Sequence, residues 1–199
     1  MARKRKAHGI FCLEGEWWNN LKKESSVESI LNLLSQWDPF FVPYIRRDVG
    51  TVVELGYYLD KWVQRRHDGF PILYLAFHGE KGKIIVGDSR RQESNLTIDQ
   101  LEEHLAGKCR KRILYLAACD TLGVHGNRLN RFLRETEALA VCGYTVGADW
   151  LLAAAFELVV FGTMQGNALT RPGVRSMRRK IYAEAPQLRE KLGFRMVTQ

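Results

Sequence analysis

The chain has 199 residues, 46% of them hydrophobic and 26% charged, and 30 Lys and Arg against 22 Asp and Glu leave a formal net charge of +8. That balance suits a soluble globular protein of one domain, long enough to bury a real core. No internal repeat, low-complexity tract or Cys-x-x-Cys pair is present, which excludes repeat, disordered and zinc-site classes.

The basicity sits at the ends. Residues 1–10 carry a net +4 and residues 165–199 a net +6, so the stretch between them is slightly acidic. A basic tail over residues 1–8, containing Arg3-Lys4-Arg5-Lys6, is either a solvated terminus or a site for an acidic partner. Cys12, Cys109, Cys119 and Cys142 show no pairing rhythm, and no signal-peptide pattern opens the chain. A reducing, cytoplasmic setting with free thiols is expected.

In chain order, Gly9 to Leu13 reads as a strand ending at Glu14-Gly15-Glu16, followed by a Trp17-Trp18 loop or docking surface. Apolar residues at Val27, Ile30, Leu31, Leu34 and Trp37 predict an amphipathic helix over 25–37. Phe40 to Ile45 reads as a second strand, with Pro43 placing it at an edge or a bulge. A second helix is predicted over 51–66. Two near-copies follow: Pro71-Ile72-Leu73-Tyr74-Leu75-Ala76-Phe77-His78-Gly79 and Arg112-Ile113-Leu114-Tyr115-Leu116-Ala117-Ala118-Cys119-Asp120. Each has the composition of a strand buried on both faces of a parallel sheet.

Between the copies lie a small hairpin around Lys83 to Val86, a polar loop over 89–95, and a helix from Thr97 to Ala106. Thr97 and Gln100 form a capping-box pattern at its start. Beyond Cys119 come a glycine-containing loop, a short basic helix over 127–134, and a strand over 138–146. Asp149 precedes a helix over 150–164 that is apolar nearly all round and therefore buried. Gly143, Gly147, Asp149 and Glu157 interrupt this stretch, so no transmembrane segment is predicted. A basic helix over 174–192, broken near Pro186, ends the chain. The alternation of strands and helices predicts an α/β fold: three layers, a mostly parallel sheet with helices on both faces.

If the twin strands are neighbours, their backbones run about 4.8 Å apart and their C-terminal ends open at one edge, where α/β sheets bind ligands. His78 and Cys119 would then meet as base and nucleophile. Backbone N–H groups of Gly79 and Cys119 are the natural oxyanion donors, since glycine admits the substrate closely. The plain alternative is two ordinary residues at the ends of core strands. Cys12 and Cys142 fall mid-strand as inert core residues. Cys109, among Lys108, Arg110, Lys111 and Arg112, is expected to favour its thiolate and alkylate readily. No metal cluster and no phosphate-binding glycine loop is found, and no cofactor is expected.

The runs Leu-Tyr-Leu-Ala-Phe-His78-Gly79 and Leu-Ala-Ala-Cys119-Asp120-Thr121-Leu122-Gly123 resemble the two catalytic motifs of caspase-like cysteine peptidases, in particular the CHAT group, over about residues 71–164. The resemblance implies a caspase-like fold over 9–199, a His–Cys dyad and cleavage of a protein substrate. It also implies a place in a bacterial defence or programmed-death system, with a substrate encoded nearby, such as a gasdermin-like pore-former. Tyr144-Thr145-Val146-Gly147 stands where that group usually shows Trp-Pro.

Asp149 falls where the family often carries an acid lining the specificity pocket, although Asp ahead of a helix is also a preferred N-cap. With Glu14 and Glu16 it makes cleavage after Lys or Arg the expectation; surface carboxylates are the plainer reading of both Glu residues. Asp120 is placed at the substrate edge, where it is expected to hold the loop by local hydrogen bonds. The short interval between Cys119 and the next strand leaves little room for a processing linker, so no activating cut is expected there. Two other classes remain: a non-catalytic caspase-like interaction module, and a nucleotide-binding α/β domain.

Overall fold

A computed structural model describes residues 7–18, 20, 22–23 and 25–199. The basic run Ala2 to Lys6, and with it most of the expected tail, lies outside those residues.

Four five-residue runs of branched, aromatic and small side chains form strands in which every residue is buried: β1 (Ile10–Glu14), β3 (Ile72–Ala76), β7 (Ile113–Ala117) and β8 (Ala140–Tyr144). With β2 (Tyr44–Asp48) and β9 (Phe194–Thr198) they make a six-stranded sheet in the order β2-β1-β3-β7-β8-β9. All neighbours are parallel except β8 and β9.

The twin sequences are direct neighbours in register, Ile72 opposite Ile113 through Ala76 opposite Ala117. Alternation sends Ile72, Tyr74 and Ala76 to one face with Ile113, Tyr115 and Ala117, and Leu73, Leu75, Leu114 and Leu116 to the other. The first face is covered by α1 (Glu28–Gln36), α5 (Trp150–Gln165) and α6 (Arg171–Glu184). The second is covered by α2 (Val52–Trp62), α3 (Ile98–Leu105) and α4 (Gly126–Thr136). The result is the expected three-layer α/β architecture.

The capping box forms as read, with Thr97 Oγ1 accepting from Gln100 N and Gln100 Oε1 accepting from Thr97 N. A small three-stranded antiparallel sheet, β4 (His78–Glu80), β5 (Lys83–Ile85) and β6 (Asn95–Thr97), overhangs the C-terminal edge of the large one. The hairpin β4–β5 was predicted; β6 was not. His78 therefore begins a new strand rather than ending the old one.

Two boundaries move further. The second strand lies at 44–48 rather than 40–45, and it tolerates Arg46, Arg47 and Asp48 because it is an edge strand, where charged side chains reach water. At the C-terminus the predicted basic helix divides into α6 and α7 (Pro186–Lys191), then Gly193 turns at φ +56° into β9, an antiparallel strand absent from the sequence reading. Phe194 and Met196 bury one face of β9 while Arg195 and Val197 occupy the other. Among the described residues no helix is long and apolar enough to cross a membrane.

Candidate active site

The chain enters the sheet at β1, steps out to β2, then crosses back to β3 on the other side of β1. Strand order reverses there, and a crevice at the C-terminal ends of such strands is the usual ligand site of an open α/β sheet. A cleft of about 290 Å³ occupies this place, lined by Trp17 and Trp18 after β1, Phe77 and His78 after β3, and Ala117 and Cys119 at the end of β7. The in-register pairing explains why. His78 and Cys119 each lie two residues beyond the paired Ala76 and Ala117, so both continue the face carrying Tyr74 and Tyr115.

His78 is exposed, and its Nε2 lies 2.9 Å from the carbonyl oxygen of Trp17. A carbonyl only accepts, so Nε2 carries the proton in that bond and Nδ1 is left as the acceptor nitrogen of the ring. The Trp17 indole packs edge-on to the imidazole at 5.4 Å. Trp17 is itself anchored, since its Nε1–H donates to Glu14 Oε1 at 2.7 Å. Cys119 is half-buried and its Sγ accepts from Ala148 N at 3.4 Å.

The loop after Cys119 is tied by three backbone hydrogen bonds. Asp120 N donates to Val146 O and Leu122 N to Tyr144 O, while Gly82 N of the overhanging hairpin donates to Thr121 O. Asp120 takes φ +54°, a left-handed conformation that Asp tolerates better than most residues. It turns the chain sharply beyond Cys119, with Gly123 N donating back to its carbonyl. The hydrogen bonds that hold this turn are made by the Asp120 backbone.

Gly79 has no room for a side chain. A Cβ there would meet Ala118 Cβ and Cys119 O at 2.7 Å and Thr121 Oγ1 closer still. If Cys119 is a nucleophile, Gly79→Ala is expected to push its loop outward and lower kcat/KM by about 100-fold or more, the usual cost of an ångström-scale misplacement. A peptide-cleavage assay with a circular dichroism control checks it; near-normal turnover would show that the loop yields freely.

The carboxylates divide between the alternatives read in the sequence. Asp149 is the N-cap of α5, its Oδ1 accepting from Leu152 N at 2.9 Å, and it is exposed outside the cleft lining. Glu16 is also exposed and outside that lining. Glu14 is neither a surface group nor part of the cleft lining. It is 1% exposed and takes four donors: Trp17 Nε1, Val27 N, Ser26 Oγ and Arg46 Nε. The expected reactivity of Cys109 is overturned as well. Its side chain is fully buried, and burial pushes the thiol up to about 12 despite Arg112 and Lys108. Burial likewise raises Cys12 and Cys142.

Sequence reasoning missed two contributors. The Trp17-Trp18 pair, read as a loop or docking surface, lines the cleft. Glu157 in mid-α5, passed over as an interruption of an apolar helix, reaches the cleft from below. A carboxylate inside an otherwise apolar helix was the available signal for the second.

Among solved structures, one described as "structure of pro-sf-caspase-1" is similar to this chain with a TM-score of 0.49 and 11% identity, over 89% of this chain and 77% of that one. No curated protein matches the sequence. The model of a family of unknown function, DUF6642, matches residues 7–197. With nearly its whole length inside that match, the chain belongs to the DUF6642 family.

Proposed function

We propose that this protein is a caspase-like cysteine endopeptidase of CHAT type, with Cys119 as nucleophile and His78 as general base and acid. The observation that carries the reading is the convergence of both side chains on one cleft, at the ends of two identical strands paired in register. The tautomer held by Trp17 O supports it, because it leaves a basic nitrogen for the thiol proton.

In this reading Nδ1 of His78 takes the proton of Cys119, and the sulfur attacks the scissile carbonyl. Backbone N–H groups of Gly79 and Cys119 stabilise the oxyanion. The imidazolium then gives its proton to the leaving amine, and a water molecule, deprotonated at Nδ1, hydrolyses the thioester. The hairpin β4–β5 and the exposed Val146, Trp150 and Leu151 form walls for an extended peptide. Among the described residues no Lys or Arg lines the cleft, which weighs against a nucleotide phosphate there.

Covalent labelling tests the reading. Cys119 is expected to be the one fast-reacting thiol of the native protein, since the other three are buried. A peptidyl electrophile should add one adduct mass, lost in Cys119→Ala. Unlabelled Cys119, together with no cleavage of any member of a diverse peptide library, would remove the peptidase assignment.

A further inference from the structure

The described structure buries three glutamates almost completely: Glu14 at 1% exposure, Glu157 at 3% and Glu102 at 6%. Burying a carboxylate is costly unless a cation and hydrogen bonds accompany it. Glu14 has Arg46. Glu102 has Arg128 and Arg131. Glu157 has no ion pair among the described residues, and of the three it alone lines the cleft that holds His78 and Cys119. Among the described residues its side-chain hydrogen-bond partners are tyrosines. Tyr74 donates to Oε2 at 2.5 Å and Tyr144 to Oε1 at 2.9 Å, while Tyr115 donates in turn to the Tyr144 hydroxyl at 2.9 Å. Every proton in this chain of hydroxyls points toward the carboxylate, so the cluster presents an acceptor with no cation to match it.

The sheet leaves a passage to it. On the face shared by Tyr74, Tyr115 and the dyad, the intervening residues are Ala76 and Ala117, both too small to fill the space between them. The remaining walls are apolar, formed by Trp17, Val27, Ile30, Ala148, Ala153 and Ala154. A slot with hydrocarbon walls and a carboxylate floor matches a side chain with a methylene stem and a cationic tip.

We propose that Glu157 is the floor of a specificity pocket that selects lysine or arginine immediately before the scissile bond. The inference rests on the peptidase reading and moves the acid from Asp149 and Glu14, which are engaged elsewhere, to a residue on the helix beneath the dyad. Burial pushes the Glu157 carboxyl up to about 7, against the pull of the Tyr74, Tyr144 and Tyr115 hydroxyls. An arriving ammonium or guanidinium supplies the charge that holds it ionised.

Matched fluorogenic peptides ending in Arg, Lys, norleucine, Gln or Asp before the fluorophore test the pocket. Wild type is expected to favour Arg and Lys over norleucine by about 100-fold, and Glu157→Gln to abolish that preference, as loss of a buried ionic partner requires. Tyr74→Phe keeps the carboxylate and should retain the preference. Agmatine, an arginine side-chain analogue, should raise the melting temperature of the wild type and of Cys119→Ala but not of Glu157→Gln.

Cys119-dependent cleavage that favours norleucine, Gln or Asp overturns the proposal and leaves the peptidase reading standing. A Glu157-dependent agmatine shift without cleavage or Cys119 labelling removes the peptidase reading but retains the cation pocket. Absence of both basic preference and agmatine shift in the wild type removes the pocket, whatever the variants do.

Discussion

His78→Ala is expected to lower kcat/KM for peptide cleavage by about 10⁴-fold or more, on the scale seen when one member of a concerted nucleophile–base pair is deleted. The melting temperature should barely change. His78 lies exposed at the edge of the sheet, and its ring meets Trp17, the carbonyl at 2.9 Å and the indole at 5.4 Å. Loss of the imidazole therefore removes a proton acceptor and donor without opening the core. Steady-state kinetics beside a thermal melt separate the two effects. Retained turnover in His78→Ala would assign the proton transfers to another group.

Glu14→Ala is expected to cost about 3–5 kcal/mol of stability, the range for breaking a buried ion pair from one side. The carboxylate ends β1 at 1% exposure and satisfies an indole N–H, a hydroxyl, a backbone N–H and the Arg46 guanidinium, all within 2.8 Å. Without it the indole, the hydroxyl and the backbone N–H lose this acceptor while Arg46 keeps Asp48, and each buried orphan costs about 1–3 kcal/mol unless water reaches it. For a chain of this size the loss lowers the melting temperature by roughly 10 °C. A second effect should follow below the melt. Trp17 loses the bond that holds its indole, so the carbonyl that orients His78 is no longer fixed and kcat should fall even where the protein stays folded. Urea unfolding and low-temperature kinetics check both. A stability change under about 1 kcal/mol would show that solvent at Arg46 replaces the carboxylate.

Much of the architecture was legible because strand and helix character are local. The five-residue runs Ile72–Ala76 and Ile113–Ala117 announce fully buried strands by composition, and Thr97 with Gln100 announces a helix start by its hydrogen-bonding chemistry. The parts that were misread depend on distant partners. Arg46 and Arg47 do not look like strand residues until the edge position of β2 and the buried Glu14 are known. Phe194–Thr198 is short and follows a basic helix, and only its pairing with β8 makes it a strand.

The same division runs through the site. The sequence by itself determined that two twin strands are followed closely by His78 and Cys119, that glycine and small residues surround them, and that the fold is layered α/β. Tertiary structure decided which charges are spent and which are free. Cys109 sits among cations in the sequence yet is sealed beneath the helices, and Asp149, readable as either a pocket acid or a helix cap, caps α5. Glu14 looks like a surface group yet holds Trp17 behind the histidine. Glu157 looks like a flaw in an apolar helix yet reaches the cleft without a cation. A carboxylate's neighbours come from separate segments of the chain, so its burial, its partners and its protonation are properties of packing that no local window contains.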